Sequence, residues 1–195
     1  MKRIAKLALT ATLLGSLTGC GTPPHTDYYL LDALALAPAA ADATLAGDTD
    51  RPVLGVGPVE VAAYLQSREI TRRDGYVQRQ RASQRWGEPL DAGITRVLAR
   101  NLAALTGSDR VVIFPWQQRQ RPEQTVSVQV LELSPVEGEL SLVASWTINR
   151  AQDSRSRLGT WRTPLASEQP GALAQATSAL LLELSKDIAA ALEAH

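Results

Sequence analysis

The sequence predicts an α/β domain of the α+β type: a largely antiparallel sheet with two long helices packed on one face. Three observations carry this. Two stretches, one from Leu90 to Leu105 and one from Leu173 to Leu192, place apolar residues at three- and four-residue steps, the period of a helix face. Runs such as Val126-Ser127-Val128-Gln129-Val130, and Leu140 to Ile148, alternate apolar and polar residues, as half-buried strands do. Between the helical stretches the strands follow one another as hairpins, which argues against a doubly wound nucleotide fold. A chain of 195 residues holds one domain with a real core and is too short for two comfortable ones.

In order, residues 1–19 have the parts of a bacterial export signal. Lys2, Arg3 and Lys6 make a basic start, an apolar run extends from Ile4 to Leu14, and small residues follow. That run is too short to span a bilayer as a helix. Leu17-Thr18-Gly19-Cys20 is similar to the lipobox of bacterial lipoproteins, a likeness that implies cleavage before Cys20 and an N-acyl diacylglycerol on that cysteine. Each buried methylene contributes about 0.8 kcal/mol and one chain holds only marginally, so a three-chain lipid is a firm anchor. Gly21 follows where an aspartate would signal retention in enterobacterial sorting, and that likeness favours the outer membrane. Residues 20–27 are then a lipidated tether, and 28–195 a single domain. Tyr28 to Leu31 reads as its first strand, and the Ala-, Pro-, Asp- and Gly-rich stretch near 33–52 as a flexible loop.

The stretch from Val53 to Leu105 organises the rest. Val53, Val56, Val59 and Val61 make a strand broken by Gly55, Gly57 and Pro58. Two polar, Arg-rich extended segments flank Asp74-Gly75, a dipeptide suited to a tight hairpin turn. Arg85-Trp86-Gly87-Glu88-Pro89-Leu90 leads into the first helix. Pro89 suits the first helical turn, and Glu88 and Asp91 suit the positive end of the helix dipole. Gly107 is the expected stop.

Beyond it, Val111 to Phe114 is a short apolar strand of the buried kind, ended by Pro115. The strands around Val126–Val130 and Leu140–Ile148 are joined by a turn at Pro135 to Glu139. A polar turn from Arg150 to Arg157 precedes a last strand from Leu158 to Leu165. Pro170 opens the final helix, with Leu180, Leu181, Leu184 and Ile188 on its apolar side.

Val56-Gly57-Pro58-Val59-Glu60-Val61, Tyr64-Leu65, the Arg85–Leu90 motif, Arg96-Val97-Leu98 and Asn101-Leu102 together resemble the PqiC-type family. Its members are auxiliary lipoproteins of ABC-type and MCE-type intermembrane transport systems. Tyr28-Tyr29-Leu30-Leu31 and Pro115-Trp116 extend the likeness over most of the chain after Cys20. Ala62 and Arg68 stand where the family often has proline, and Gly87 where alanine is usual. The resemblance implies partners: an MCE-domain (PqiB-like) protein that bridges the periplasm, and its permease system. It also allows a homo-oligomeric ring.

Composition narrows the function classes. Formal charge is zero, and the export segment removes three cations and no acid, leaving about three negative charges on the mature chain. A nucleic-acid binder needs a basic surface, so none is expected. The single cysteine forms no internal disulfide, and the two histidines, His25 and His195, lie in the tails, so neither a zinc site nor a catalytic base can be assembled from them. Glu60 with Glu88 is the carboxylate pair an acid–base enzyme would have to use, but no spacing marks it out. No enzyme activity and no cofactor is expected.

Arg68, Arg72, Arg73, Arg79, Arg81 and Arg85 cluster on the hairpin, with Arg79, Arg81 and Arg85 expected on one strand face. Such a cluster either pairs with anionic headgroups or an acidic partner, or is a charged edge that discourages aggregation; the latter is favoured. Tyr64, Leu65, Arg85 and Trp86 are the candidate contacts between subunits or with the transport partner, with core packing beside the first helix the favoured alternative for one or both of Trp86 and Trp116. The whole reads as a periplasm-facing, outer-membrane-anchored accessory that docks the periplasm-spanning component. The alternative is a lipoprotein that supports envelope assembly.

Overall fold

The structure is a computed structural model that describes residues 25–35, 52–74, 76–117, 121–151 and 153–194. In chain order the strands are β1 (Asp27–Tyr29), β2 (Leu54–Val61), β3 (Glu69–Asp74), β4 (Val77–Trp86), β5 (Val111–Ile113), β6 (Gln124–Val136), β7 (Glu139–Arg150) and β8 (Ser154–Pro164). The helices are α1 (Leu90–Thr106) and α2 (Pro170–Glu193), and a 3-10 turn spans Ala63–Leu65. The α/β class and the two long helices are those expected. The export segment, Cys20, Gly75, His195 and most of the loop near 33–52 lie outside the described residues.

The strands divide into two sheets, with orders β1-β4-β3 and β5-β2-β6-β7-β8. The longest ladders, β6 with β7 and β7 with β8, are antiparallel. β2 runs parallel to both β5 and β6, and β1 parallel to β4. Periodicity predicts strands and not their partners, which is why the division into two sheets was not visible beforehand. β8 begins at Ser154, inside the stretch expected as a turn, because the hairpin closes tightly between Arg150 and Asp153. β3 and β4 pair as far as Asp74 with Val77, the hairpin expected there.

The core lies between the large sheet and the two helices. Val56, Val126, Val128, Val130, Leu140 and Leu142 come from the sheet, and Ile94, Val97, Leu98, Leu180, Leu184 and Ile188 from the helices. α1 ends as expected, with Gly107 in the left-handed conformation at φ 62° and its N–H on the carbonyl of Ala103. Trp146 is a core residue whose indole Nε1 donates to Asp187 Oδ2 of α2 at 3.0 Å.

The seam between the helices is polar and satisfied. Asn101 is fully buried; its Nδ2 donates to Ser185 Oγ at 3.3 Å, and its Oδ1 accepts the backbone N–H of Ala35 at 3.0 Å. Ser178 Oγ accepts the N–H of Asp32 at 3.0 Å. The chain just after β1 is thus laid along the helix pair, where its backbone groups find partners away from water.

Candidate docking surfaces

The Arg85–Leu90 motif clasps the N-terminal strand. Trp86 N–H donates to the carbonyl of Arg68 at 2.7 Å, and Gly87 N–H to that of Tyr29 at 2.8 Å. Glu88 accepts from Arg96 Nε at 3.1 Å, and Arg96 Nη2 also reaches the carbonyl of Leu31 at 2.8 Å. Leu31 itself is buried. Three parts of the chain that are remote in sequence meet here: the strand after the tether, the motif, and the first turns of α1.

This places the four candidate contact residues. Trp86 is 7% exposed and Leu65 6%, so both are core side chains rather than exposed anchors. With Ile70, Leu90, Leu133 and Leu140 they line a cavity of about 20 Å³, room for one water at most. They are buried because β4 ends, and the 3-10 turn lies, over the junction of the two sheets. Tyr64 is half-buried and its hydroxyl accepts the N–H of Leu133 at 3.1 Å. Arg85 keeps its guanidinium partly exposed and pairs with Glu69 at 3.0 Å.

Among the described residues Glu69 is the one carboxyl with a clear displacement. The Ser67 hydroxyl donates to it, and that bond, then its own backbone amide, hold it below the usual carboxylate range against a smaller effect of burial, with the Arg85 charge adding least. A register shift in the β3–β4 pairing, between Glu69 and Thr71, falls between Arg79 and Arg85, so regular alternation does not carry from one to the other; the side chain of Arg81 lies outside the described residues. Glu60 and Glu88 are not brought together. Glu60 lies on the sheet face away from the helices, beside Ser127 and Gln129, whereas Glu88 is held by Arg96. Among the described residues no group of three or more His, Cys, Asp or Glu side chains is placed to hold a metal ion.

Two clefts open on either side of Pro58. One, of about 240 Å³, is polar and bounded by Glu60, Ser127, Gln129, Ser145 and Thr147. The other, of about 380 Å³, lies between β2, the start of α1 (Asp91, Thr95, Arg96) and the side chains of Ile113 and Phe114. Ile113 and Phe114 are each 46% exposed, so the apolar strand expected to be buried is an edge strand that shows its apolar end to solvent. Phe114 is braced by Trp116, edge to face at 5.2 Å. A Cβ on Gly57, which has φ +114°, would lie 2.8 Å from that of Phe114, so only glycine admits this approach. The sequence signal for this surface was there: a four-residue apolar run ended by Pro115 fits an edge strand as well as a central one.

The model of one protein family, described as the ABC-type transport auxiliary lipoprotein component, matches residues 29–189. Among solved structures, an uncharacterised protein is similar with a TM-score of 0.69 at 17% identity, over 87% of this chain and 99% of its own. A protein from Xanthomonas campestris, of the DUF330 family, is similar with a TM-score of 0.60 at 16% identity, over 84% of this chain and 93% of its own. At such identities the likeness is one of fold. No curated protein matches the chain.

Proposed function

The chain belongs to the family of ABC-type transport auxiliary lipoprotein components, and from that premise we propose that it is a non-catalytic accessory which docks a periplasm-spanning MCE-domain protein at the outer membrane. In this reading Cys20 carries the acyl anchor, and the ATPase and permease functions belong to other subunits. The observation that carries the docking role is the exposed apolar edge formed by Pro58, Ile113 and Phe114 beside a cleft of about 380 Å³. Exposed apolar side chains held rigidly at a cleft are what a protein partner needs for a central contact.

The fold suits a mechanical role. A pull on the acyl chains reaches β1, which is bonded to β4, and the chain just after it, which is bonded through Leu31 to Arg96 of α1 and through residues 32 and 35 to both helices. Load is thereby spread over the core instead of peeling one edge.

The test is affinity purification of the tagged, full-length protein from gently solubilised membranes, beside a Cys20→Ala version. Recovery of an MCE-domain protein and its permease with the wild type, and loss of membrane association in the variant, are the expected results. Sizing the same material reads the copy number a ring would require. Recovery of outer-membrane assembly factors alone would replace this reading with envelope support.

A further inference from the structure

β1 fixes the direction in which the chain departs toward Cys20. It runs parallel to β4, with Asp27 beside Gln84 and Tyr29 beside Trp86. The backbone before Asp27 therefore leaves β1 heading toward the N-terminal end of β4, where β3 and β4 meet at Asp74 and Val77. Asp27 lies seven positions after Cys20, and Gln84 seven after Val77. Seven extended steps reach at most about 25 Å, whereas the register shift lets β4 from Val77 to Arg85 face only the stretch of β3 from Asp74 back to Glu69, so the tether has length to spare over the hairpin. A bilayer holding the acyl chains of Cys20 is thus kept within about 25 Å of β1, near enough for the hairpin tip to meet it.

That tip has the side chains for a membrane surface. Tyr76 is fully exposed at 103% and Val77 is 54% exposed, with Gln78, Arg79 and Gln80 exposed behind them. Residues 68–85 carry six arginines against Glu69 and Asp74. The mature chain is about three charges negative as a whole, so the positive charge is concentrated on this hairpin and the excess of acid lies elsewhere.

We propose that the β3–β4 hairpin tip, through Tyr76, Val77 and Arg79, makes a second contact with the anionic phospholipid surface that receives the acyl chains of Cys20. This rests on the reading of Cys20 as acylated. The tyrosine ring sits at headgroup depth, the valine dips below it, and the guanidinium pairs with phosphate. Anchor and tip together give the domain a fixed orientation, which one flexible tether does not. An acidic protein could also meet an arginine hairpin, but the short tether favours the membrane as occupant.

The test uses the full-length, acylated protein with Tyr76→Cys, whose Cys20 thiol is consumed by the lipid, labelled with a fluorophore and reconstituted in vesicles. Ala151→Cys, at the turn between β7 and β8, is the comparison. In vesicles containing phosphatidylglycerol, the label at 76 is expected to lose several-fold in quenching by aqueous iodide and to gain quenching by a bilayer nitroxide. The label at 151 should show neither change. Raising salt, or adding Arg79→Glu, should restore iodide access at 76. An acylated protein whose two labels are equally accessible overturns the contact alone. So does equal shielding in pure phosphatidylcholine, or shielding that appears only with a protein partner. A mass showing unmodified Cys20 overturns both the contact and the anchor reading.

Discussion

Arg96 Nη2 donates to the carbonyl of Leu31 at 2.8 Å, joining residues 65 positions apart, and the same guanidinium holds Glu88 through Nε at 3.1 Å. One side chain therefore fastens the strand after the tether to the motif that opens α1. Arg96→Ala is expected to cost on the order of 1 kcal/mol by urea denaturation, since the group is partly exposed and solvent screens the pair. The sharper readout is local. Amide exchange at Asp32 and Ala35, whose N–H groups bond Ser178 and Asn101, should speed up more than exchange in β6 and β7. Uniform acceleration across the domain would mean that Arg96 is no clasp.

Gly87 stands where the PqiC-type pattern usually has alanine, and the structure explains why the change is cheap in either direction. A Cβ there would meet Leu30 Cδ2 at 2.8 Å. Leu30 is 61% exposed and can turn away. Gly87→Ala should then be neutral or stabilising by up to about 1 kcal/mol, through the lower entropy of the unfolded chain. A thermal midpoint several degrees below wild type would show that Leu30 is pinned.

Both long helices, their apolar faces and the Gly107 stop of the first were legible in the sequence, because a helix satisfies its own backbone and shows its period locally. The alternating strands were legible for the same reason. Partners were not: the parallel pairing of β1 with β4 depends on Gly87 and Arg96 reaching back to Tyr29 and Leu31, contacts with no local signature. The candidate site misled in two directions. Trp86 was open to a core reading as well as an interface one, and burial at 7% exposure sides with the core; Leu65 stood out because an apolar pair in a loop has little structural excuse, yet it fills the junction of two sheets that the sequence did not reveal. Phe114 looked like core because its run is wholly apolar, yet β5 lies at an edge and the run ends in the open.

The exposed edge gives the docking reading its own handle. Ile113→Ser with Phe114→Asp changes side chains that are each 46% exposed, at the end of the sheet rather than in the core. The fold should survive with a stability loss of about 1 kcal/mol, part of it from the lost Phe114–Trp116 contact. Recovery of the transport partner in the purification described above should fall about tenfold or more, as expected when a central apolar contact is replaced by a charge. Full recovery by a folded double variant would move docking to another face.

Glu69 predicts how stability should follow acid. Its folded carboxyl titrates below the ordinary 4.5, chiefly because Ser67 donates to the ionised form, then because of its own backbone amide and Arg85. A depressed folded value means that the unfolded chain takes up the proton first as pH falls. The contribution is therefore whole above pH 4.5 and fades as pH drops through the lower folded value. Glu69→Gln keeps the shape and cannot titrate. Urea midpoints of the two proteins should differ most near neutrality and converge below the ordinary carboxylate range, the wild type being the more stable at high pH. Because the carboxyl is open to solvent, added salt should narrow the gap by screening the Arg85 pair while leaving the share due to Ser67. A gap that stays constant from neutral pH into acid would show that ionisation of Glu69 plays no part in holding β3 to β4.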